Sequence, residues 1–452
     1  MKELKISISG VRGIVGETLT PELIVSFSQA FGTYLEGGRV LVSRDTRASS
    51  EMVNSAVLGG LLSCGCEVID LGVCPTPALQ LMIKETTAAG GIAITAGHNE
   101  ESWNALKFIQ SSGLFLNSYQ GEELLDIFHQ GEFKKANFKE FKKVRFEKEA
   151  IKRHLQAIIR VLDEDLIKKK KFKVAIDCCN GACSYPTPLF LKKLGCEVVA
   201  INDEPGAGFP HEPAPKPANM AQLRALVKAS SANVGFAQDA DGDRLGIVTE
   251  EGVALSEEYS FCLAAKFISQ REKGIIVTNL STTQAIDEIA KLHGCRVLRT
   301  KIGQAYIAEE ALACQAIIGG EGSGGILFPQ INYAHDSTAA LGHILQYMAK
   351  TDSPLSSLVK LIPQYEIVKR EVDCPPEEIY SVIQRIREWV EKDEKEAKLD
   401  LEDGIKLTWD DSFLHIRSSI TEPLIRVIAE AKTKEKAEEI SNGILRKIEQ
   451  SL

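Results

Sequence analysis

The chain has 452 residues, of which 44% are hydrophobic and 25% charged, and a formal net charge of −9. That length implies several domains of ordinary globular composition. The acidic balance argues against non-specific nucleic-acid binding, and no run approaches the ~18 consecutive apolar residues of a membrane span, so neither a nucleic acid nor a membrane is an expected partner.

Met1-Lys2-Glu3 leads straight into a strand-like run from Leu4, without the pattern of a secretory signal. Eleven cysteines, with no CxxC pair and no zinc spacing, fit buried thiols in a reducing cytoplasm, so a cytoplasmic location is expected. Ser9-Gly10-Val11-Arg12-Gly13-Ile14-Val15-Gly16 then combines glycines that permit a tight turn with the Arg12 fork, which suits phosphate. An apolar strand at Val40-Leu41-Val42-Ser43 gives way to the polar loop Arg44-Asp45-Thr46-Arg47, a helical stretch, and Gly65-Cys66-Glu67-Val68-Ile69. The same order recurs from Val174-Ala175-Ile176 to Gly195-Cys196-Glu197-Val198-Val199, and from Ile275-Ile276-Val277 to Gly294-Cys295-Arg296-Val297-Leu298. Each glycine stands where a helix hands over to a buried strand, so three related α/β units with mainly parallel sheets are predicted. Ligands in such sheets gather beyond the strand C-termini. In the first unit the strand Gly91-Ile92-Ala93-Ile94 runs into Thr95-Ala96-Gly97-His98-Asn99 and then Asn104-Ala105-Leu106-Lys107. His98 could there be a metal ligand, a proton shuttle or a structural side chain, and spacing alone favours the last.

Between the strand-like runs Asn233–Ala237 and Leu245–Val248 stands Gln238-Asp239-Ala240-Asp241-Gly242-Asp243-Arg244. Alternate residues of an extended segment point the same way, so Asp239, Asp241 and Asp243 can converge. Arg244 offsets one charge, and a hard divalent cation, foremost Mg²⁺, one per chain, suits the all-oxygen set. An EF-hand needs glycine at the sixth loop position, where Arg244 stands, and an acidic solvated turn is the plain alternative. In the third unit Gly319-Gly320-Glu321-Gly322-Ser323-Gly324-Gly325 offers Glu321 and Ser323 to sugar hydroxyls, or is a flexible turn. The last ~85 residues change character: a helix from near Pro375 through Trp389, strands at Ile405–Trp409, Phe413–Ile416 and Ile425–Ala429, and a helix to about Ile448. Within them Arg417-Ser418-Ser419-Ile420-Thr421-Glu422-Pro423, followed by Arg426, forms a plausible phosphate cradle. Boundaries near residues 150, 254 and 366 give α/β domains 1–150, 151–254 and 255–365, and an α+β domain 366–452.

These segments, in this order, resemble the α-D-phosphohexomutase superfamily over essentially the whole chain, and the wording Glu101-Ser102-Trp103-Asn104-Ala105-Leu106-Lys107 looks most like its phosphoglucosamine mutase branch, near the phosphomannomutase-phosphoglucomutases. The resemblance implies four domains around a central cleft, Mg²⁺ on the three aspartates, and a hexose or hexosamine phosphate as substrate. A sugar 1,6-bisphosphate would be the intermediate, and the protein a monomer or homodimer. It implies catalytic roles for Arg12, His98, Lys107 and Arg244, sugar reading by Glu321 and Ser323, and phosphate binding by Arg417, Ser419, Thr421 and Arg426. The chain departs from the family at four places. The family's phosphoryl-carrying serine is Gly97, the following proline is Glu100, a histidine proposed as a base is Gly325, and a Gly or Asn is Ile420. Three readings follow: a deliberately inactivated mutase, a natural member with another carrier (Thr95, His98 or Ser102), or a phosphosugar-binding protein without mutase turnover, regulatory or phosphatase-like on bisphosphates.

Overall fold

The first of four sheets has seven strands in the order Lys5–Ser7, Gly10–Ile14, Trp103–Gln110, Gly90–Ile94, Arg39–Arg44, Glu67–Val73 and Arg145–Phe146. This arrangement is that of a computed structural model, which describes residues 4–7, 10–394, 396–419 and 423–451. The pairs around Arg39–Arg44 and Glu67–Val73 are parallel, and the other half of the sheet is antiparallel. Val40, Leu41 and Val42 are all buried, as strands covered on both faces must be. The second sheet runs Leu245–Thr249, Val234–Gln238, Lys173–Asp177, Glu197–Ile201, and the third Arg296–Thr300, Ile275–Asn279, Ile318–Gly320, Ile326–Phe328, Asn332–His335. Both keep a parallel centre with antiparallel strands at one edge. The glycines of the repeat, Gly65, Gly195 and Gly294, have φ of +80°, +75° and +69°, the left-handed turn that ends each helix before its strand.

Of the glycine-rich N-terminal segment, only the end makes the expected tight turn, at Gly16 with φ +80°. Gly10–Ile14 is a strand that pairs with Trp103–Gln110, Gly10 opposite Lys107 and Arg12 opposite Ala105. Its alternating burial explains this: Val11 packs into the core while Arg12 points to the other face.

The fourth domain is an antiparallel sheet, Glu366–Asp373, Leu424–Ala431, Ser412–Ser418, Ile405–Thr408, Lys398–Asp400, with helices Pro376–Asp393 and Lys434–Glu449. It docks on the loop that follows the third unit's first strand. Lys406 Nζ donates to the Leu280 carbonyl (2.6 Å), His415 Nδ1 pairs with Ser281 Oγ (2.8 Å), and Glu430 Oε1 accepts from the Gln284 amide (2.8 Å). This docking turns the strands bearing Arg417 and Arg426 toward the other three domains. Among the described residues, no helix is long and apolar enough to cross a membrane. No cysteine is in a disulfide, and nine of the eleven are buried.

Candidate active site

A cleft of about 360 Å³ lies where the four domains meet. The loop 239–244 joins two antiparallel strands whose residues are all buried, so its carboxylates are held on a rigid hairpin. One ligand atom from each of Asp239, Asp241 and Asp243 lies within 4.8 Å of the others. Asp239 Oδ1 accepts the amides of Asp243 (3.0 Å) and Arg244 (3.1 Å). Asp241 Oδ2 accepts the Thr76 hydroxyl (2.8 Å) and Lys107 Nζ (2.6 Å), and Lys107 is 3.5 Å from Asp243 Oδ2. Asp239 Oδ2, Asp241 Oδ1 and Asp243 Oδ1 remain buried without a hydrogen-bond partner. Unmatched buried carboxylate oxygens are costly, and a hard cation would satisfy all three at once, so the donor set fits Mg²⁺.

Burial and mutual repulsion raise the carboxyls of Asp239 and Asp241 above their ordinary range. At Asp243 burial acts the same way, but Lys107 and Arg244 outweigh it and hold the group below its usual value. Burial disfavours the Lys107 ammonium, yet Asp241 and Asp243 more than offset that and raise it. Lys107 is therefore a fixed positive charge beside the carboxylates.

The loop Thr95–Asn99 is tied down from behind. Thr95 Oγ1 donates to Asp45 Oδ2 (2.7 Å) and accepts the Gly97 amide (3.0 Å). Arg47, paired with Asp45, donates through Nη2 to the carbonyls of Gly97 (2.9 Å) and Asn99 (2.6 Å). Arg12 Nη1 reaches Asn99 Oδ1 at 3.2 Å. Gly97 sits at φ +55°, and a β-carbon there would lie 3.3 Å from Asp241 Oδ1, one of the unpartnered oxygens, and 3.5 Å from Lys107 Nζ. Position 97 thus abuts the carboxylate cluster. His98 faces the cleft, and Arg244 first, then burial, with Arg12 and Lys107, hold its imidazole well below the usual histidine range against the pull of Asp243. Its ring is neutral near neutral pH. Ser102 is exposed on a turn away from the cleft wall, and Glu100 is exposed as well.

On the third domain, Glu321 Oε1 accepts the Ser323 hydroxyl (2.5 Å) and Oε2 accepts Asn279 Nδ2 (3.0 Å), so the carboxylate is oriented into the cleft. Ser323 holds Glu321 rather than lining the cleft itself. The loop is bound to the loop 239–244 through the Arg244–Gly325 bridge and a Leu245 amide to Gly324 carbonyl bond of 3.1 Å. From the fourth domain come Arg417, Ser419 and Arg426. Arg417 and Arg426 are cross-strand neighbours, and Arg417 is only 7% exposed with an unpartnered Nε. Burial, with Arg426 beside it and against Asp403, lowers the Arg417 pKa from its ordinary value. Two adjacent guanidiniums, Arg417 largely desolvated and Arg426 half-exposed with its Nε 3.4 Å from a Glu371 carboxylate oxygen, make an anion site.

The cleft therefore brings together Arg12, His98, Lys107, Asp243, Arg244, Glu321, Arg417, Ser419 and Arg426, with Asp239 and Asp241 behind Lys107. Thr421 and Ile420 lie outside the described residues. Three contributors were not singled out from the sequence: Arg47, the segment Ile302–Tyr306, and His335. The first two follow polar residues at strand C-termini, a signal the sequence carried. His335 lies ten residues beyond the glycine loop and carried no local signal.

Comparison with known proteins covers all four domains. Four family models match: phosphoglucomutase/phosphomannomutase domain I over residues 4–135, domain II over 152–252, domain III over 256–365 and the C-terminal domain over 375–447. A phosphoglucomutase/phosphomannomutase of Thermococcus kodakarensis is 36% identical, covering 98% of each chain, and a "probable phosphoglucosamine mutase" of Methanopyrus kandleri is 35% identical over 96% of this chain and 95% of its own. The crystal structure of a phosphoglucomutase/phosphomannomutase family protein from Burkholderia thailandensis superposes with a TM-score of 0.85 at 24% identity, covering 99% of this chain and 97% of that one. Fold and site define a phosphohexomutase architecture, of the isomerase class. The chain belongs to the phosphoglucomutase/phosphomannomutase family of the α-D-phosphohexomutase superfamily.

Proposed function

We propose that the cleft binds a hexose or hexosamine phosphate with one Mg²⁺ per chain, in the manner of a phosphoglucosamine mutase interconverting 6- and 1-phosphates, and that Gly97 limits its phosphoryl relay. The observation that carries this reading is the set of three unpartnered carboxylate oxygens, one of which, Asp241 Oδ1, abuts position 97, beside a cleft that also holds the Arg417–Arg426 pair. Asp239, Asp241 and Asp243 would hold the metal, which when bound neutralises charge on a transferring phosphoryl group. Arg12 and Lys107 steady that group, and Arg244 balances the carboxylates. Glu321, oriented by Ser323 and Asn279, reads sugar hydroxyls, while Arg417, Ser419, Thr421 and Arg426 grip the phosphate that is not reacting.

A covalent relay needs a nucleophile at the loop tip, in line with the sugar phosphate. Gly97 has none, the Thr95 hydroxyl is committed to Asp45 and the Gly97 amide, and Ser102 is exposed off the cleft wall. His98 is the remaining one of the three, and it offers nitrogen in place of oxygen. This favours, as a second reading, a phosphosugar-binding or bisphosphate-phosphatase-like homologue. Calorimetry decides whether the cleft binds at all: glucosamine 6-phosphate should bind in the presence of Mg²⁺ and glucosamine should not, and equal affinity for the two would overturn the reading. Assay of 6-phosphate to 1-phosphate conversion against bisphosphate hydrolysis then separates the two activities.

A further inference from the structure

His335 ends the edge strand of the third sheet, opposite Leu327, and is 2% exposed. Its ring borders the cleft beside Glu321, Asp243 and Arg244, and its Nε2 is buried without a hydrogen-bond partner. The other deeply buried histidines are bonded: His154 to Asp336 (2.6 Å), His415 to Ser281 (2.8 Å) and the Asp403 carbonyl (2.6 Å), and His343 to the Ala339 carbonyl (2.9 Å). A buried ring nitrogen with nothing to bond destabilises the fold unless something else supplies the partner.

The ring also fits only because residue 325 is glycine. A β-carbon on Gly325 would lie 2.2 Å from His335 Nδ1, 2.6 Å from Cε1 and 2.8 Å from Cγ. The imidazole therefore stands where a side chain at 325 would leave the backbone, at the joint between the Glu321 loop and Arg244. A sugar hydroxyl both donates and accepts, so it can bridge the Glu321 carboxylate and an imidazole nitrogen.

We propose that His335 is a substrate-contacting residue whose Nε2 hydrogen-bonds the sugar hydroxyl read by Glu321, so that it recognises the sugar and not the phosphate. This rests on the phosphosugar reading of the cleft. Burial, with Arg244 and Lys107, lowers the His335 pKa against Glu321 and Asp243, which keeps the ring neutral and able to donate or accept according to its tautomer.

The test is calorimetric binding of glucosamine 6-phosphate and of inorganic phosphate to the full chain with Mg²⁺, for the native protein, His335→Leu, His335→Gln and Gly325→Ala. His335→Leu should weaken the sugar phosphate about five- to tenfold, the loss expected for one hydrogen bond, and leave inorganic phosphate unchanged. His335→Gln, whose amide nitrogen reaches the Nε2 position, should restore most of the affinity, and Gly325→Ala should reproduce the loss by displacing the ring. Unchanged sugar-phosphate affinity in His335→Leu, or an equal loss for both ligands, overturns the proposal. Should the Leu and Ala variants fail to fold, the imidazole ¹⁵N resonances of the native protein decide. A His335 signal that moves with glucosamine 6-phosphate but not with inorganic phosphate supports the contact, and one that does not respond to the sugar contradicts it. A native protein that binds neither ligand removes the phosphosugar reading itself, and His335's role with it.

Discussion

Gly97→Ser is the perturbation whose consequences the geometry specifies most fully. At φ +55° the backbone is left-handed, where a β-carbon costs about 1–2 kcal/mol. The new atom would meet Asp241 Oδ1 at 3.3 Å and Lys107 Nζ at 3.5 Å, both side-chain tips that can shift by a few tenths of an ångström. The variant should therefore fold, less stable by about 1–2 kcal/mol, with a hydroxyl directly beside the carboxylate cluster. Conversion of glucosamine 6-phosphate to its 1-phosphate, assayed with Mg²⁺ and a trace of sugar 1,6-bisphosphate, should be very low in the native chain and at least tenfold higher in Gly97→Ser, a barrier change of about 1.4 kcal/mol. Exposed Glu100 adds a negative charge near the loop, so Gly97→Ser with Glu100→Pro should gain at least as much. The reasoning fails if the native chain already turns over at around ten per second, a rate usual for enzymes. It also fails if Gly97→Ser folds, binds substrate and gains nothing.

Titration with Mg²⁺ or Mn²⁺ should reveal one site per chain that is lost in Asp241→Asn, and no binding at millimolar metal would count against the carboxylate site. Arg417→Ala removes a charge-assisted contact and should weaken hexose phosphate binding by about 1.5–3 kcal/mol, read by calorimetry, with an unchanged affinity assigning the phosphate elsewhere. Burial raises the Glu430 carboxyl to about 7, against its bonds to Thr283 and Gln284. A raised folded-state value means that its contribution is complete below the unfolded value of 4.5 and is lost as pH rises to about 7. Glu430→Gln should thus unfold at the same temperature as the native chain near pH 4 but at a higher one at pH 8, the gain amounting to a few kcal/mol at most; a difference independent of pH would contradict this.

The repeated units were legible because buried parallel strands are apolar throughout and their preceding helices end on glycine, as Val40–Val42 and Gly65 illustrate. The strand Glu366–Asp373 was not, since it lies at the sheet edge, mostly exposed, and alternates charges with few apolar residues. Asp239, Asp241 and Asp243 were readable as a cluster because one hairpin carries all three. Which of their oxygens lack partners depends on Thr76 and Lys107, from another domain, and no local pattern encodes that. Likewise, Gly325 looked like a plain loss of a side chain, and only the strand pairing of Leu327 with His335 brings an imidazole into that space.

Intact-protein mass after incubation with glucose or glucosamine 1,6-bisphosphate and Mg²⁺ tests most directly whether this chain holds phosphosugars without a covalent carrier. Bisphosphate binding with an unchanged protein mass is the predicted result. Stoichiometric gain of one phosphoryl group would contradict it, and phosphopeptide mapping would then identify the residue that carries it.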